Sequence, residues 1–263
     1  MRLPVSLFLL LGSTPIGVLA QSGPAPVIVA ARERKPFKIV LVGDSTVATE
    51  GGWGPGFCAT LTPNVSCVDL ALNGRSTKSF IDEGAWQKAL AEKGQYYFIQ
   101  FGHNDQKPNP KVHADAATSF QANLRRMVSD VRAQEGIPIL VSSLSRRNYV
   151  DGRPDPNDGL ADYAAAARQV ATDERVTFLD LYGLSTKYLA GLTQEQADGF
   201  DMAGHADAKA ENGSAAKPDR THLNEAGKML FGRMVADNVV RLQVELGPNV
   251  VGVAAGSGAA FSK

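Results

Sequence analysis

The sequence predicts an α/β fold in which a parallel sheet is covered by helices on both faces. Three observations predict it. Phe37-Lys38-Ile39-Val40-Leu41-Val42 is a near-continuous apolar run, the pattern of a strand buried on both sides. Four further short apolar runs follow it, separated by helical stretches, and strands alternating with helices build parallel sheets. The 263 residues, 44% of them hydrophobic, are enough for one domain with a sizeable core, and no internal repeat or second boundary interrupts them.

In chain order, residues 1–20 read as a secretory signal. Met1-Arg2 gives a positive start, Leu3 to Leu11 is mostly apolar and too short to span a bilayer, and Val18-Leu19-Ala20 places small residues ahead of Gln21. The expected location is therefore secreted, extracellular or periplasmic. Residues 21–35 form a leader of Pro, Ala and charge, and residues 36–249 the folded domain. The first strand spans 37–43. The others are expected at Cys67–Leu72, Tyr96–Phe101, Ile137–Ser142 and Val176–Leu181. Between them, Ala116 to Gln134 carries Phe120, Leu124, Met127, Val128 and Val131 near a 3.6 period, and Asp158 to Thr172 is rich in helix formers. A last helix begins after Asn224, a suitable N-cap, and stops at Gly247-Pro248. Residues 250–263 read as a loose tail.

Charge and cysteine narrow the function. Lys+Arg and Asp+Glu each number 27, with no basic stripe or acidic run, so neither nucleic acid nor a membrane surface is an expected partner. Cys58 and Cys67, nine apart with Pro63 and Asn64 between, suit a short disulfide loop worth roughly 2–3 kcal/mol; two buried thiols are the alternative. Metal spacing of Cys and His is absent, so no metal or cofactor is expected. Asn64 and Asn212 head glycosylation acceptor triplets, usable only in a eukaryotic source.

Four turns carry unusual residues: Gly43-Asp44-Ser45, Asn73-Gly74-Arg75-Ser76, Gly102-His103-Asn104-Asp105 and Asp219-Arg220-Thr221-His222-Leu223-Asn224. The first three follow strands one, two and three, and in a parallel sheet they emerge at one edge, where ligands bind. Ester cleavage needs a serine made nucleophilic by a base, commonly histidine. Asp219 and His222 are three apart, as side chains that touch in a helical turn are, so the carboxylate could hold Nδ1–H while Nε2 faces Ser45. The backbone N–H groups of Ser45 and Gly74 and the Asn104 amide are candidate donors to an oxyanion. Each is singly an ordinary turn residue. His103 is expected to shape its turn, and His113 and His205 to lie on the solvated surface.

In this order the blocks resemble those of the SGNH hydrolases, the "GDSL" esterases, from about Lys38 to Met234. The strings Gly43-Asp44-Ser45-Thr46-Val47, Gly52-Trp53-Gly54, Asn73 to Phe80, Phe101 to Asp105 and Asp219 to Asn224 resemble the rhamnogalacturonan acetylesterase branch. The resemblance implies a flavodoxin-like three-layer α/β/α sandwich with a five-stranded parallel sheet. It implies Ser45 as nucleophile, His222 as base, Asp219 as its orienting carboxylate, and Ser45, Gly74 and Asn104 as the oxyanion hole. The implied reaction removes O-acetyl groups from pectic rhamnogalacturonan. Separately, a monomer is expected. With one cysteine pair, fewer than some secreted relatives have, the disulfide does not carry over. Ser45 also lies outside any Gly-x-Ser-x-Gly elbow, which argues against an ordinary α/β-hydrolase.

Other branches, such as xylan acetylesterases, lipases and thioesterases, would use the same machinery. Arg75, Lys78, Arg146, Arg147 and Arg153 are candidates to line a cleft for carboxylates, or are a solvated positive face. Trp53 either stacks on a sugar ring or packs beneath the first turn. A carbohydrate-binding protein without turnover is the non-enzyme alternative; all five catalytic positions being filled argues against it. Gly51-Gly52-Trp53-Gly54-Pro55-Gly56 lacks nucleotide-binding spacing.

Overall fold

The computed structural model describes residues 36–202, 219–242 and 245–251. The signal and leader readings, most of the tail, His205 and Asn212 lie outside the described residues.

Five strands form the main sheet: β1 (Phe37–Gly43), β2 (Val65–Asp69), β3 (Tyr96–Gln100), β4 (Ile137–Val141) and, after a two-stranded hairpin of β5 (Tyr149–Val150) and β6 (Arg153–Pro154), β7 (Thr177–Leu179). Their order is β2-β1-β3-β4-β7, and every pairing is parallel. This is the flavodoxin-like order, with its switch point between β1 and β3. The chain leaves β1 toward one edge of the sheet and returns on the other side of β1. A crevice therefore opens at the carboxyl ends of those two strands.

Alternation along β1 explains the two-sided burial. Ile39 and Leu41 point into one apolar core, with Trp53, Phe57, Phe231 and Val235. Val40 and Val42 point into a second core, with Phe80, Trp86, Leu124, Val128 and Val170. The first core holds side chains of α1 (Gly54–Cys58), α6 (Leu181–Leu189), α7 (Gln194–Asp198) and α8 (Glu225–Arg241). The second holds those of α2 (Thr77–Asp82), α3 (Ala85–Ala91), α4 (Ser119–Ala133) and α5 (Ala161–Glu174). β1, β3 and β4 are buried along nearly their whole length and need apolar cover on both sides, which the helices of the two faces supply.

Boundaries moved where side chains took over from periodicity. The second strand begins at Val65 and ends at Asp69, because the Asp69 carboxylate accepts the Ala71 N–H at 3.0 Å and turns the chain there. Asn224 caps α8 as expected, accepting from the Gly227 N–H. Cys58 and Cys67 are joined as a disulfide, tying α1 to β2. One expectation needs correcting. Asp219–Leu223 is a short strand, β9, antiparallel to β8 (Asp201–Met202), and not a turn. Its partner is the stretch just after α7, and the Arg147 N–H also donates to the Arg220 carbonyl at 3.0 Å. The segment therefore has backbone partners on both sides that local sequence does not reveal.

Candidate active site

Ser45 stands two residues past the end of β1 in a turn built by its neighbour Asp44. One Asp44 carboxylate oxygen accepts from the Thr46 N–H (2.9 Å) and the Thr46 hydroxyl (2.7 Å). Below the turn, the Gln100 amide donates to Thr46 Oγ1 at 2.6 Å and accepts from the Trp53 indole N–H at 2.7 Å. Trp53 is fully buried, edge-on to Phe57. It packs beneath the first turn and presents no face to a sugar, which corrects its place among the substrate-binding candidates. Gln100 had no assigned role, although a polar residue closing the apolar run Tyr96–Ile99 was a visible signal.

The serine hydroxyl lies 2.7 Å from His222 Nε2, and His222 Nδ1 lies 2.6 Å from Asp219 Oδ2. An N–H on Nδ1 donates to the carboxylate, which leaves Nε2 free to accept the serine proton. A helical turn does not make this contact, since β9 is extended. The other Asp219 oxygen accepts the backbone N–H groups of Thr221 and His222, both at 3.1 Å, and this folds the carboxylate under the imidazole. Burial pushes the Asp219 carboxyl up, and the bonds from His222 and Thr221 outweigh it and hold the pKa below the usual value. On the opposite side of the ring runs Gly51. A Cβ there would stand 2.9 Å from the His222 Cβ, while the Gly51 carbonyl accepts the Leu223 N–H at 2.8 Å. Glycine lets the loop after the serine lie directly against the histidine strand.

Gly74 follows β2 with φ +76°, a left-handed conformation that favours glycine, and nothing crowds the space its side chain would fill. Its requirement is therefore backbone conformation, with open space beside it. The Asn104 side chain is buried, and its Nδ2 donates to the Arg75 carbonyl at 2.9 Å, joining the turn after β3 to the Gly74 turn. Asp105 secures the same two turns from below. It accepts from the Thr77 N–H (3.0 Å), the Thr77 hydroxyl (2.5 Å) and the Gly102 N–H (3.1 Å), while burial still raises its pKa to about 7.

The cationic candidates divide. Arg75 sits at the rim, where Nε donates to Glu83 at 2.9 Å and Nη1 to the Asn73 carbonyl at 2.9 Å. Lys78 pairs with Asp82 within its own helix, and Arg153 is exposed in β6. Arg146 is partly buried and donates to the Asp158 carbonyl at 2.7 Å. Arg147 is a correction: fully buried, it pairs with Asp201 and donates to the His222 carbonyl at 3.0 Å. It braces the histidine strand from behind and cannot line a cleft. His113 is exposed and donates to the Asp105 carbonyl at 2.9 Å.

A serine, an imidazole and a carboxylate in hydrogen-bonded series, at the carboxyl edge of a flavodoxin-like sheet, define the class of SGNH ester hydrolases. The chain belongs to the GDSL-like lipase/acylhydrolase family, whose profile matches residues 41–230. It is 31% identical over 229 residues to the rhamnogalacturonan acetylesterase RhgT of Bacillus subtilis, covering 83% of this chain and 96% of that one. It is 28% identical over 222 residues to the probable rhamnogalacturonan acetylesterase YesY of the same organism, covering 81% and 97%. Among solved structures, YxiM of Bacillus subtilis superposes with a TM-score of 0.66 at 23% identity, over 80% of this chain and 58% of that longer one. The acetylxylan esterase Axe2 of Geobacillus stearothermophilus gives 0.56 at 18% identity, over 78% and 94%. These two share the fold.

Proposed function

We propose that this enzyme is a secreted serine esterase that removes O-acetyl groups from acetylated polysaccharide, with pectic rhamnogalacturonan as its substrate. The observation that carries the chemistry is the unbroken series Ser45 Oγ, His222 Nε2, His222 Nδ1, Asp219 Oδ2, with contacts of 2.7 and 2.6 Å at its two ends. The substrate class rests on the two Bacillus subtilis relatives and on the Asn73-Gly74-Arg75-Ser76 and Phe101-Gly102-His103-Asn104-Asp105 strings.

The reaction runs in two halves. Ser45 Oγ attacks the acetyl carbonyl carbon as His222 Nε2 takes its proton, and the carbonyl oxygen becomes an oxyanion. The N–H groups of Ser45 and Gly74 and the Asn104 amide receive that charge; one such donor is worth about 2.7–4 kcal/mol in the transition state. Collapse breaks the bond to the sugar oxygen, which leaves with the proton from His222. Water, deprotonated by the same imidazole, then releases acetate and restores the serine. Asp219 keeps the ring in the tautomer that accepts at Nε2.

The test is acetate release from acetylated rhamnogalacturonan, acetylated xylan, a triglyceride and 4-nitrophenyl acetate, measured side by side. Rhamnogalacturonan should lead. Ser45→Ala should lose release from every substrate with its fold intact, and turnover near that of the unmodified enzyme would end the serine-esterase reading. N-terminal sequencing of protein recovered from the medium or periplasm should find Gln21 first.

A further inference from the structure

We propose that Lys107 is a positioning residue for the oxyanion site. Its ammonium holds the Asn104 carboxamide in one of its two orientations and polarises the N–H that faces the reacting oxygen. The inference rests on the assignment of Asn104 as an oxyanion donor.

The turn after β3 brings the two side chains together. The Lys107 N–H donates to the Asn104 carbonyl at 3.1 Å, and the Gln106 N–H to the Gly102 carbonyl at 3.2 Å. This fold returns the exposed lysine over the buried asparagine, and Lys107 Nζ donates to Asn104 Oδ1 at 2.6 Å. On the far end of the same carboxamide, Nδ2 donates to the Arg75 carbonyl at 2.9 Å.

A carboxamide has a donor end and an acceptor end and can be turned over. Turned over here, its oxygen would face the Arg75 carbonyl and its nitrogen would face an ammonium, leaving two repulsive contacts in place of two bonds. Both neighbours therefore select one orientation. Of the two hydrogens on Nδ2, the Arg75 carbonyl takes one. The other is the one the proposed chemistry uses.

Charge adds to orientation. Among the described residues, the ion pairs within 4.0 Å include none for Lys107, so its bonded partner there is the neutral carboxamide. When an oxyanion forms beside the Nδ2 hydrogen, electron density moves through the amide toward Oδ1. A charge-assisted bond at Oδ1 stabilises that shift, and linked hydrogen bonds strengthen one another in a partly desolvated site. The gain is larger for the tetrahedral species than for bound ester, so it belongs to kcat.

The experiment is a double-mutant cycle with 4-nitrophenyl acetate, an uncharged substrate, using Lys107→Met, Lys107→Arg, Asn104→Ala and the Lys107→Met/Asn104→Ala pair. Lys107 is exposed, so thermal midpoints report that the variants remain folded. Lys107→Met should lower kcat about tenfold with KM unchanged, and Lys107→Arg should restore most of it. Asn104→Ala should lower kcat by about 10²–10³. In that background, Lys107→Met should add less than about twofold, because it acts through an amide that is gone. An equal loss in both backgrounds, or a change in KM without kcat, overturns the proposal and makes Lys107 a general electrostatic or substrate-contact residue. If Asn104→Ala leaves kcat intact, the oxyanion assignment of Asn104 falls, and the role of Lys107 falls with it; the single variants separate these failures.

Discussion

Two aspartate–histidine pairs meet at this site, and they differ in geometry and in burial. Asp219 and His222 face the crevice with side chains 29% and 32% exposed, and their atoms meet at 2.6 Å. Asp44 and His103 are one residue behind Ser45 and Asn104, sealed from solvent, with 3.7 Å between Asp44 Oδ2 and His103 Nδ1. That distance is too long for a hydrogen bond, and both atoms lack a hydrogen-bond partner among the described residues. Burial holds the His103 pKa below its ordinary value despite the nearby carboxylate. For Asp44 burial acts upward, and the neighbouring His103 together with the bonds from Thr46 outweigh it, holding the carboxyl low. The buried pair is thus a carboxylate anchored in its turn beside an imidazole sealed from solvent. The open pair alone has a serine hydroxyl on the far nitrogen. What separates the two histidines here is solvent access and the third partner, since each has its aspartate.

Deleting each imidazole in turn tests whether the two pairs are functionally distinct. His222→Ala should cut kcat by roughly 10⁴–10⁶ with little change in thermal midpoint. His103→Ala should do the reverse, lowering stability by about 1–3 kcal/mol in urea titrations while kcat stays within about tenfold. If both substitutions damaged rate equally, the two pairs would not be functionally distinct. Next in size, Asp219→Asn should lower kcat by about 10⁴ with KM nearly unchanged, because an amide in that place favours the wrong tautomer of His222. A rate unchanged by that substitution would remove Asp219 from the series.

Arg147 and Asp201 form a third pair, buried like Asp44 and His103. Arg147→Met leaves Asp201 buried without its cation and removes the donor to the His222 carbonyl. The expected loss is about 3–5 kcal/mol in the urea-derived unfolding free energy. Arg147→Met/Asp201→Leu, which removes both charges, should recover most of that stability. Failure of the double variant to recover would mean that the bond to His222, and not the ion pair, carries the stabilisation.

How far this site was legible depended on the range of the contacts that make it. Ser45 and Asn104 each follow a strand whose apolar run is plain in the sequence, Gly74 follows β2, whose bounds shifted, and a parallel sheet gathers the ends of β1, β2 and β3. His222 could be paired with Asp219 from a spacing of three, yet the stated reason, a helical turn, was wrong. The strand that holds them exists because of pairing with Asp201–Met202 and a bond from Arg147, partners distant in sequence that carry no local signal. Trp53 and Arg147 failed for a related reason. Tryptophan and arginine serve equally as surface ligand-contacts or as buried struts, and only the fold shows that Gln100 takes the indole N–H and Asp201 the guanidinium.

The smallest expected effect tests whether carboxylates in this floor are set by their partners. Asp44 has Thr46 and His103, and is held low. Asp69 has one bond, from the Ala71 N–H, and its other oxygen is buried without a hydrogen-bond partner among the described residues; burial raises its pKa to about 7. The signs are therefore opposite. Asp69 binds its proton more tightly folded than unfolded, where about 3.9 is usual, so its stability is present below that value and lost as pH rises toward 7. Asp44 contributes stability above its unfolded pKa, and this is lost as pH falls through the lower folded value. Urea midpoints of Asp69→Asn should fall less steeply than the unmodified protein between pH 4 and 7, by at most one proton, about 1.4 kcal/mol per pH unit. Asp44→Asn should leave that limb alone and flatten the loss on the acid side. Parallel curves for Asp69→Asn and the parent would mean that Asp69 finds a proton or a partner at all pH values. Its isolation would then no longer distinguish it from Asp44.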